Sequence, residues 1–531
     1  MTDRFRVLIS DPLPAEAKTI LEATGQIEVV EQRDDIEPLL PSIHGWIVRS
    51  GTQVTAELLE QAPQLRCVCR AGAGVDNVDQ DAATRHGVVV MNTPGSNSRA
   101  AAELTVGLLL SLARNIPFAH ARMMGGEWGR KDYVGIECQG KTVAIVGMGK
   151  VGRHVGTMAR GLGMDVIAVD PFLSPEAAAD LGFQLRTIDE ALPDIDFLTL
   201  HTPLTDATRN FINAERLQKC RPSLRIVNCS RGGVIDEVAL LEALEKGQIA
   251  GAALDVFAAE PPPAESPLRS HPKIITTPHL GASTLEAQEQ VATASGEQVR
   301  DFLCAGTVRN AINAASLAGE EAERYAPLAE LATRLGMLQA QVLRGSPQAV
   351  TIELQDPSAT DVLERLVVDN ALTGFLQASA DTVVNAVNAR VFARERGIEV
   401  ATRSPAHGGD WIRSVGITVR SPEGEQRVLG SVVGRSSLRL VGFNEYKIDS
   451  ALEGPLLVMD SIDRPGMMGT VGSVFGELGL NIANLTLGRS EPGGAALSVV
   501  QLDDAPDAAA LERINAIDGV RHAYVVNMPN S

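Results

Sequence analysis

Apolar residues in this chain fall into short runs separated by stretches of helical spacing, and that rhythm predicts most of its elements. Residues 6–10 read as a strand ending at the Asp11-Pro12 turn, 14–24 as a helix and 27–30 as a second strand. Further strands are predicted at 45–50, 65–70 and 88–91, with helical stretches at 55–61 and 76–86 between them. Strands alternating with helices imply a parallel sheet with helices on both faces. After the turn-rich residues 92–98, a helix over 99–114 is apolar almost all round, which predicts burial in a domain junction or a subunit interface. The α/β rhythm resumes at Lys141, with strands at 143–146, 166–169, 197–200, 225–229, 250–255 and 274–276 and helices at 153–162 and 236–246. A long helix at 284–304 then leads back to the first unit, making that unit discontinuous in sequence.

Beyond Asn313 the pattern changes. A helix at 321–344 precedes a mixed α/β region reaching residue 453, with polar loops at 403–409 and 421–424 and no catalytic constellation, so a packing or spacer role is expected. The last segment reads as strand 456–459, loop 460–465, helix 466–478, strands 481–487 and 496–502, helix 506–517 and strand 522–526. That β-α-β-β-α-β order describes a ferredoxin-like unit.

Composition narrows the partners. A chain of 531 residues is too long for one core and suggests about three to four domains. Its formal net charge of -19, with no basic tract to offset it, argues against a nucleic-acid or anionic-membrane partner. An acidic protein that binds anions must gather its arginines locally, so individual arginines become informative. The six cysteines (67, 69, 138, 220, 229 and 304) form no C-x-x-C and no zinc-like set with histidines, so no metal site is expected. Cys67 and Cys69 share one face of a strand and read as packing. The first residues lack the apolar core of a signal peptide, and the longest apolar run, 104–113, is too short to span a bilayer, so a cytoplasmic protein is expected.

The chemistry begins at a strand followed by Gly147, Gly149 and Gly152, which fit G-x-G-x-x-G. The first glycine permits the turn, the second admits a pyrophosphate, and the third lets helix pack on strand. The helix N-terminus offers unpaired N–H groups to the anion. Asp170 ends the next strand at the spacing of an acid that binds the adenosine ribose; Pro171 and Phe172 follow with no arginine for a 2′-phosphate, which favours NAD over NADP. Three further segments end strands of the same unit: Arg231 in a glycine turn, Asp255 to Glu260, and His279. Ligands of open α/β sheets sit beyond the carboxyl ends of strands, where these would meet. Alcohol oxidation needs a hydride acceptor and a base, and histidine suits the base. A neighbouring carboxylate orients its ring, and an arginine fork binds a substrate carboxylate at two points. Taken singly, each residue has a structural explanation, and His201, also at a strand end, is a rival base.

With these residues in place, the chain resembles the D-isomer-specific 2-hydroxyacid dehydrogenase family, in the long form that carries an intervening domain and a C-terminal ACT domain. The matching stretches are 70–79, 92–94, 101–105, 147–152, 228–233, 255–261 and 277–284, with Asp463 to Gly466 and Leu480 to Ala483 resembling the ACT signature. The resemblance implies a Rossmann-type NAD domain (99–284) inserted in a flavodoxin-like substrate domain (1–98 and 285–312), then an α/β intervening domain (313–453) and a ferredoxin-like ACT domain (454–531). It implies Arg231 as the substrate-binding catalytic arginine, His279 as acid/base and Glu260 as its partner. It also implies cofactor contacts at Lys150, Val151, Asp170, Thr202, Cys229, Asp255, His279, Gly281 and Ala282. Arg49, Arg70, Gly72 and Arg130 match substrate positions, and Ala73 departs from the Thr of some relatives at a cofactor contact. The implied reaction is oxidation of 3-phospho-D-glycerate with NAD, the entry to L-serine. Asp463 and Asn481 match effector positions for L-serine in ACT domains that pair across subunits, so a homo-oligomer, dimer or tetramer, is implied. Two rivals are another D-2-hydroxyacid dehydrogenase and an NAD-sensing, corepressor-like protein.

Overall fold

The structure is a computed structural model and describes residues 4–317, 319–377, 383–403 and 411–530. Most of the polar loop expected at 403–409 lies outside the described residues.

The first sheet is built from β1 (Phe5–Ile9), β2 (Ile27–Glu31), β3 (Gly45–Val48), β4 (Cys67–Arg70) and β5 (Val89–Asn92), all parallel in the order β2-β1-β3-β4-β5. That is the flavodoxin-like order. The helix Leu285–Ala305 returns to it: Val291, Ala292, Val299 and Leu303 share one core with Val7, Ile47, Cys67 and Cys69. Cys67 and Cys69 are fully buried, and burial pushes the Cys69 thiol up to about 12, so both act as packing groups.

The second sheet comprises β6 (Thr142–Val146), β7 (Asp165–Val169), β8 (Gln184–Leu185), β9 (Phe197–Leu200), β10 (Arg225–Asn228), β11 (Gly251–Leu254) and β12 (Ile274–Thr276). Its order, β12-β11-β10-β9-β6-β7-β8, reverses between β6 and β9. That reversal is the switch point of a Rossmann sheet, where a crevice opens beyond the strand ends. The apolar helix Ser98–Arg114 packs on the helix Lys150–Gly161 and on β10 and β11, within this unit. It is followed by Ile116–Met124, a helix with no buried residue that the apolar pattern does not predict.

The third sheet is mixed: β13 (Ala349–Gln355) and β14 (Glu399–Arg403) are parallel, while β15 (Ser414–Ser421), β16 (Gly424–Val433), β17 (Ser437–Phe443) and β18 (Tyr446–Ala451) run antiparallel. The fourth contains β19 (Pro455–Ile462), β20 (Ile482–Arg489), β21 (Ala495–Leu502) and β22 (Val520–Asn527) in the order β20-β21-β19-β22, the ferredoxin-like arrangement. Residues 460–462, expected in a loop, continue β19, because Asp460 and Ser461 pair with both β21 and β22. Leu456, Val458, Leu497 and Val499 join the core of the third unit, so the last sheet is clamped face-on to its neighbour.

Candidate active site

Beyond the ends of β4, β11 and β12 lies a cavity of about 370 Å³ lined by Arg49, Arg70, Gly72, Glu260, Pro261, His279 and Ala282, among others. Two lobes build it: the first two arginines come from the flavodoxin-like unit, the acid and histidine from the Rossmann unit.

His279 has φ 53, a left-handed backbone uncommon for a side-chain-bearing residue. Asp255 imposes that turn. Its fully buried carboxylate accepts from Thr277 Oγ1 at 2.6 Å, Leu280 N at 2.7 Å and Gly281 N at 3.0 Å, and burial raises its pKa above the ordinary aspartate value. Asp255 is therefore a staple for the histidine loop, whatever contact it also makes with a cofactor. The His279 ring then reaches Glu260, with Nδ1 2.6 Å from Oε2, while Glu260 Oε1 accepts from Phe257 N at 3.0 Å. Burial by itself would raise the Glu260 carboxyl, but His279, the Phe257 amide and Arg231 outweigh it and hold it below its ordinary value. With Nδ1 on the carboxylate, Nε2 is left for a substrate hydroxyl.

Arg70 is largely buried, its Nε has no partner, and its pKa is pulled down to about 10, first by burial and then by Arg231 and Arg49. Arg49 and Arg70 line the cavity, while Arg231, from the other lobe, does not line it but lies close enough to act on Arg70, and Asp76 and Asp11 oppose the three charges. Arg231 Nε donates to Asp76 Oδ2 at 3.0 Å, a contact between lobes that the sequence reading did not assign. Arg130 is exposed and does not line the cavity of its own chain, which departs from its expected place with Arg49 and Arg70. The rival base His201 is also displaced: its Nε2 lies 3.0 Å from Thr199 Oγ1, and burial of the ring lowers its pKa to about 4.

Several of the residues expected to contact a cofactor lie at the switch point. The turn runs from Gly147 at the end of β6 into the helix Lys150–Gly161, with open space above Gly149. A Cβ on Gly152 would fall 2.0 Å from the Gly147 carbonyl oxygen, so only glycine lets this helix seat on the turn. Asp170 holds the loop from below, accepting from Met148 N at 2.7 Å and Phe172 N at 2.9 Å, and Lys150 Nζ donates to Pro94 O at 3.3 Å. The Thr202 hydroxyl is buried without a partner, as is that of Thr93 in the crossover between lobes. An orphaned hydroxyl, a bare glycine turn and a helix N-terminus together fit a dinucleotide. Val151 lies in the helix Lys150–Gly161, whereas Cys229 follows β10 and Gly281 and Ala282 lie on the loop after β12; burial pushes the Cys229 thiol up to about 12, so it enters as a neutral group.

In the last unit Asp463 accepts from Arg489 Nη1 at 3.0 Å and Gly493 N at 3.2 Å, and Asn481 donates to Asp503 Oδ2 at 2.7 Å. They precede and follow the helix Met467–Glu477 and therefore sit at opposite ends of it, about 16 Å apart along its axis. One chain does not bring the two expected effector residues together.

Among the described residues no helix is long and apolar enough to cross a membrane. The sequence profile of the D-isomer-specific 2-hydroxyacid dehydrogenase NAD-binding domain matches residues 106–281, that of the D-3-phosphoglycerate dehydrogenase intervening domain 324–444, and that of the ACT domain 456–519. A D-3-phosphoglycerate dehydrogenase of Synechocystis is 39% identical over 525 residues, covering 98% of this chain and 95% of the relative. One from Bacillus subtilis is 37% identical over 527 residues, covering 99% and 100%. An NAD-dependent formate dehydrogenase from Staphylococcus aureus, solved in complex with NAD, is 28% identical with a TM-score of 0.53 and covers 59% of this chain and 99% of its own. The chain belongs to the D-isomer-specific 2-hydroxyacid dehydrogenase family, in the long form with an intervening and an ACT domain.

Proposed function

We propose that the chain oxidises 3-phospho-D-glycerate to 3-phosphooxypyruvate with NAD, the entry step to L-serine. The observation that carries this reading is the pair Arg49 and Arg70 in one cavity with the His279–Glu260 pair, with Arg231 close enough to act on both Arg70 and Glu260. A small acid with one carboxylate would need one guanidinium; a phosphorylated acid carries the additional charge that three can match. The full-length likeness to relatives named D-3-phosphoglycerate dehydrogenase supports the same substrate.

In this reading the substrate carboxylate rests on Arg231 and the phosphate lies toward Arg49 and Arg70. His279 Nε2 takes the proton of the 2-hydroxyl, and Glu260 stabilises the imidazolium that results. Bound NAD would supply the acceptor for the hydride of C2. Lys150, Val151, Gly149 and the amides of the helix N-terminus would hold its pyrophosphate, Asp170 would hold its ribose, and Thr202 would offer its partnerless hydroxyl.

A homo-oligomer is part of the proposal. Ile116, Met124, Trp128 and Val134 are 53%, 76%, 79% and 82% exposed, an apolar arm that a second copy would cover. Arg130 lies on this arm and would reach a substrate only from that second copy. L-serine is the proposed effector, with its ammonium on Asp463 of one copy and its carboxylate on the Asn481 amide of another.

The test is NADH formation with 3-phospho-D-glycerate against D-glycerate, with and without L-serine. We expect kcat/KM to favour the phosphorylated acid by about 100-fold. Equal efficiency on the two acids would remove the phosphate reading.

A further inference from the structure

Arg231 does not stand free in the site. Its Nε donates to Asp76 Oδ2 at 3.0 Å and its Nη1 to the Ser230 carbonyl at 2.7 Å. Asp76 follows β4 in the flavodoxin-like unit and Arg231 follows β10 in the Rossmann unit, so one hydrogen bond joins the two walls of the cleft across 155 residues of chain. The guanidinium lies against the backbone at Gly74, where a Cβ would fall 2.1 Å from Arg231 Nη2 and 2.9 Å from Asp76 Oδ2. A guanidinium has five N–H donors in one plane. With Nε committed to Asp76 and one Nη1 hydrogen to Ser230, those that remain are on the two terminal nitrogens.

We propose that Asp76 is a positioning residue for this reaction: by holding Arg231 Nε from the opposite lobe, it turns the terminal nitrogens toward the carboxylate of the 2-hydroxy acid. The proposal rests on the hydride-transfer reading of the site. It also accounts for an acid standing among Arg49, Arg70 and Arg231, where a second anion competes with substrate unless it has a task of its own. Asp76 eases the repulsion that Arg231 and Arg49 exert on Arg70 while leaving the substrate-facing edge of Arg231 open. Its side chain is 72% exposed, and exposed ion pairs add little to stability, so a purely structural role is a poor account of it.

The experiment compares the full-length parent with Asp76→Ala and Asp76→Asn. Oxalate, a planar carboxylate that needs no turnover, is titrated into the NADH complex and followed by nicotinamide fluorescence. NADH affinity, the thermal midpoint, and kcat and KM with 3-phospho-D-glycerate are measured beside it. Asp76→Ala should weaken oxalate by about tenfold or more and raise KM for the acid, with NADH affinity and thermal midpoint unchanged. Asp76→Asn should recover part of the loss, because its amide oxygen still accepts from Nε. Oxalate binding in Asp76→Ala within about twofold of the parent would overturn the proposal. A parallel loss of NADH affinity or thermal stability would also overturn it, leaving a structural tie, and so would a parent that binds no oxalate. A parent that binds oxalate yet leaves phosphoglycerate unoxidised would sink the substrate reading alone, while the oxalate titration would still decide Asp76.

Discussion

At the scale of single residues, the His279–Glu260 pair makes the sharpest commitment. His279→Ala removes the imidazole that lines the cavity, and loss of a general base costs roughly 10² to 10⁴ in rate. We expect kcat to fall in that range while NAD affinity, measured by titration, stays put; retained turnover would reassign the base. Glu260 adds a pH signature. Its carboxyl is lowered in the folded protein, so its contribution to stability is present above the unfolded value and is lost as pH falls through the lowered one. Since the pair is partly exposed, that contribution is at most about 1 kcal/mol. The thermal midpoint of the parent should exceed that of Glu260→Gln at neutral pH and converge with it in acid. A difference that persists in acid would mean that Glu260 stabilises by packing. The placement of Arg231, Glu260 and His279 on one side of the sheet was legible in the sequence because each follows a strand of one parallel sheet, and such strands end on one side. Asp76 was not: no spacing relates it to Arg231, and only the approach of two lobes brings them together. The clasp that Asp255 makes on the histidine loop was not legible either, since an acid at a strand end looks alike whether it faces a ligand or holds the next loop.

At the scale of elements, the periodic pattern recovered what packing dictates and missed what it does not. The buried strands of the first two sheets are mostly apolar, so their positions were readable to within a residue or two. Two-residue β8 has no run to read. The helix Ile116–Met124 has no inward face, since none of its residues is buried in the single chain. Residues 460–462 misled because Asp460 lines a cavity at the junction with the third unit, so polarity there marks an interface and not a loop. The element most exposed to a test is the turn from β6 into the helix Lys150–Gly161. Gly152→Ala places a methyl 2.0 Å from the Gly147 carbonyl oxygen, a backbone atom that cannot yield without lifting the helix. Overpacking of this kind costs about 1–3 kcal/mol. The variant should melt several degrees lower and lose most of its NAD affinity, whereas Gly149→Ala, with open space around it, should keep the parent's melting temperature and weaken only the cofactor. Equal melting and equal NAD affinity in Gly152→Ala would refute the seating of helix on turn.

At the scale of the whole molecule, the last unit has one face spent on its neighbour. Leu456, Val458, Leu497 and Val499 are buried in a core shared with Leu328, Leu331 and Val415, so the unit does not swing freely. Its Asp463 and Asn481 stand at opposite ends of the helix Met467–Glu477. If both bind one small zwitterion, they must come from different chains, and regulation then becomes a property of the assembly. Mixing decides this. Asp463→Ala and Asn481→Ala, each prepared alone, should keep basal turnover, because both residues lie in the last unit and neither lines the cavity. Each should also lose serine inhibition, since every shared site then lacks one partner. Oligomers assembled from an equal mixture of the two contain sites in which an intact Asp463 meets an intact Asn481. Such mixtures should regain part of the inhibition without any new residue. If the mixture stays as insensitive as its components while subunit exchange is verified by mass, the two residues do not share a ligand across chains. If Asn481→Ala alone remains fully inhibited, serine is held elsewhere. Partial recovery would show that the effector bridges two copies through their last units.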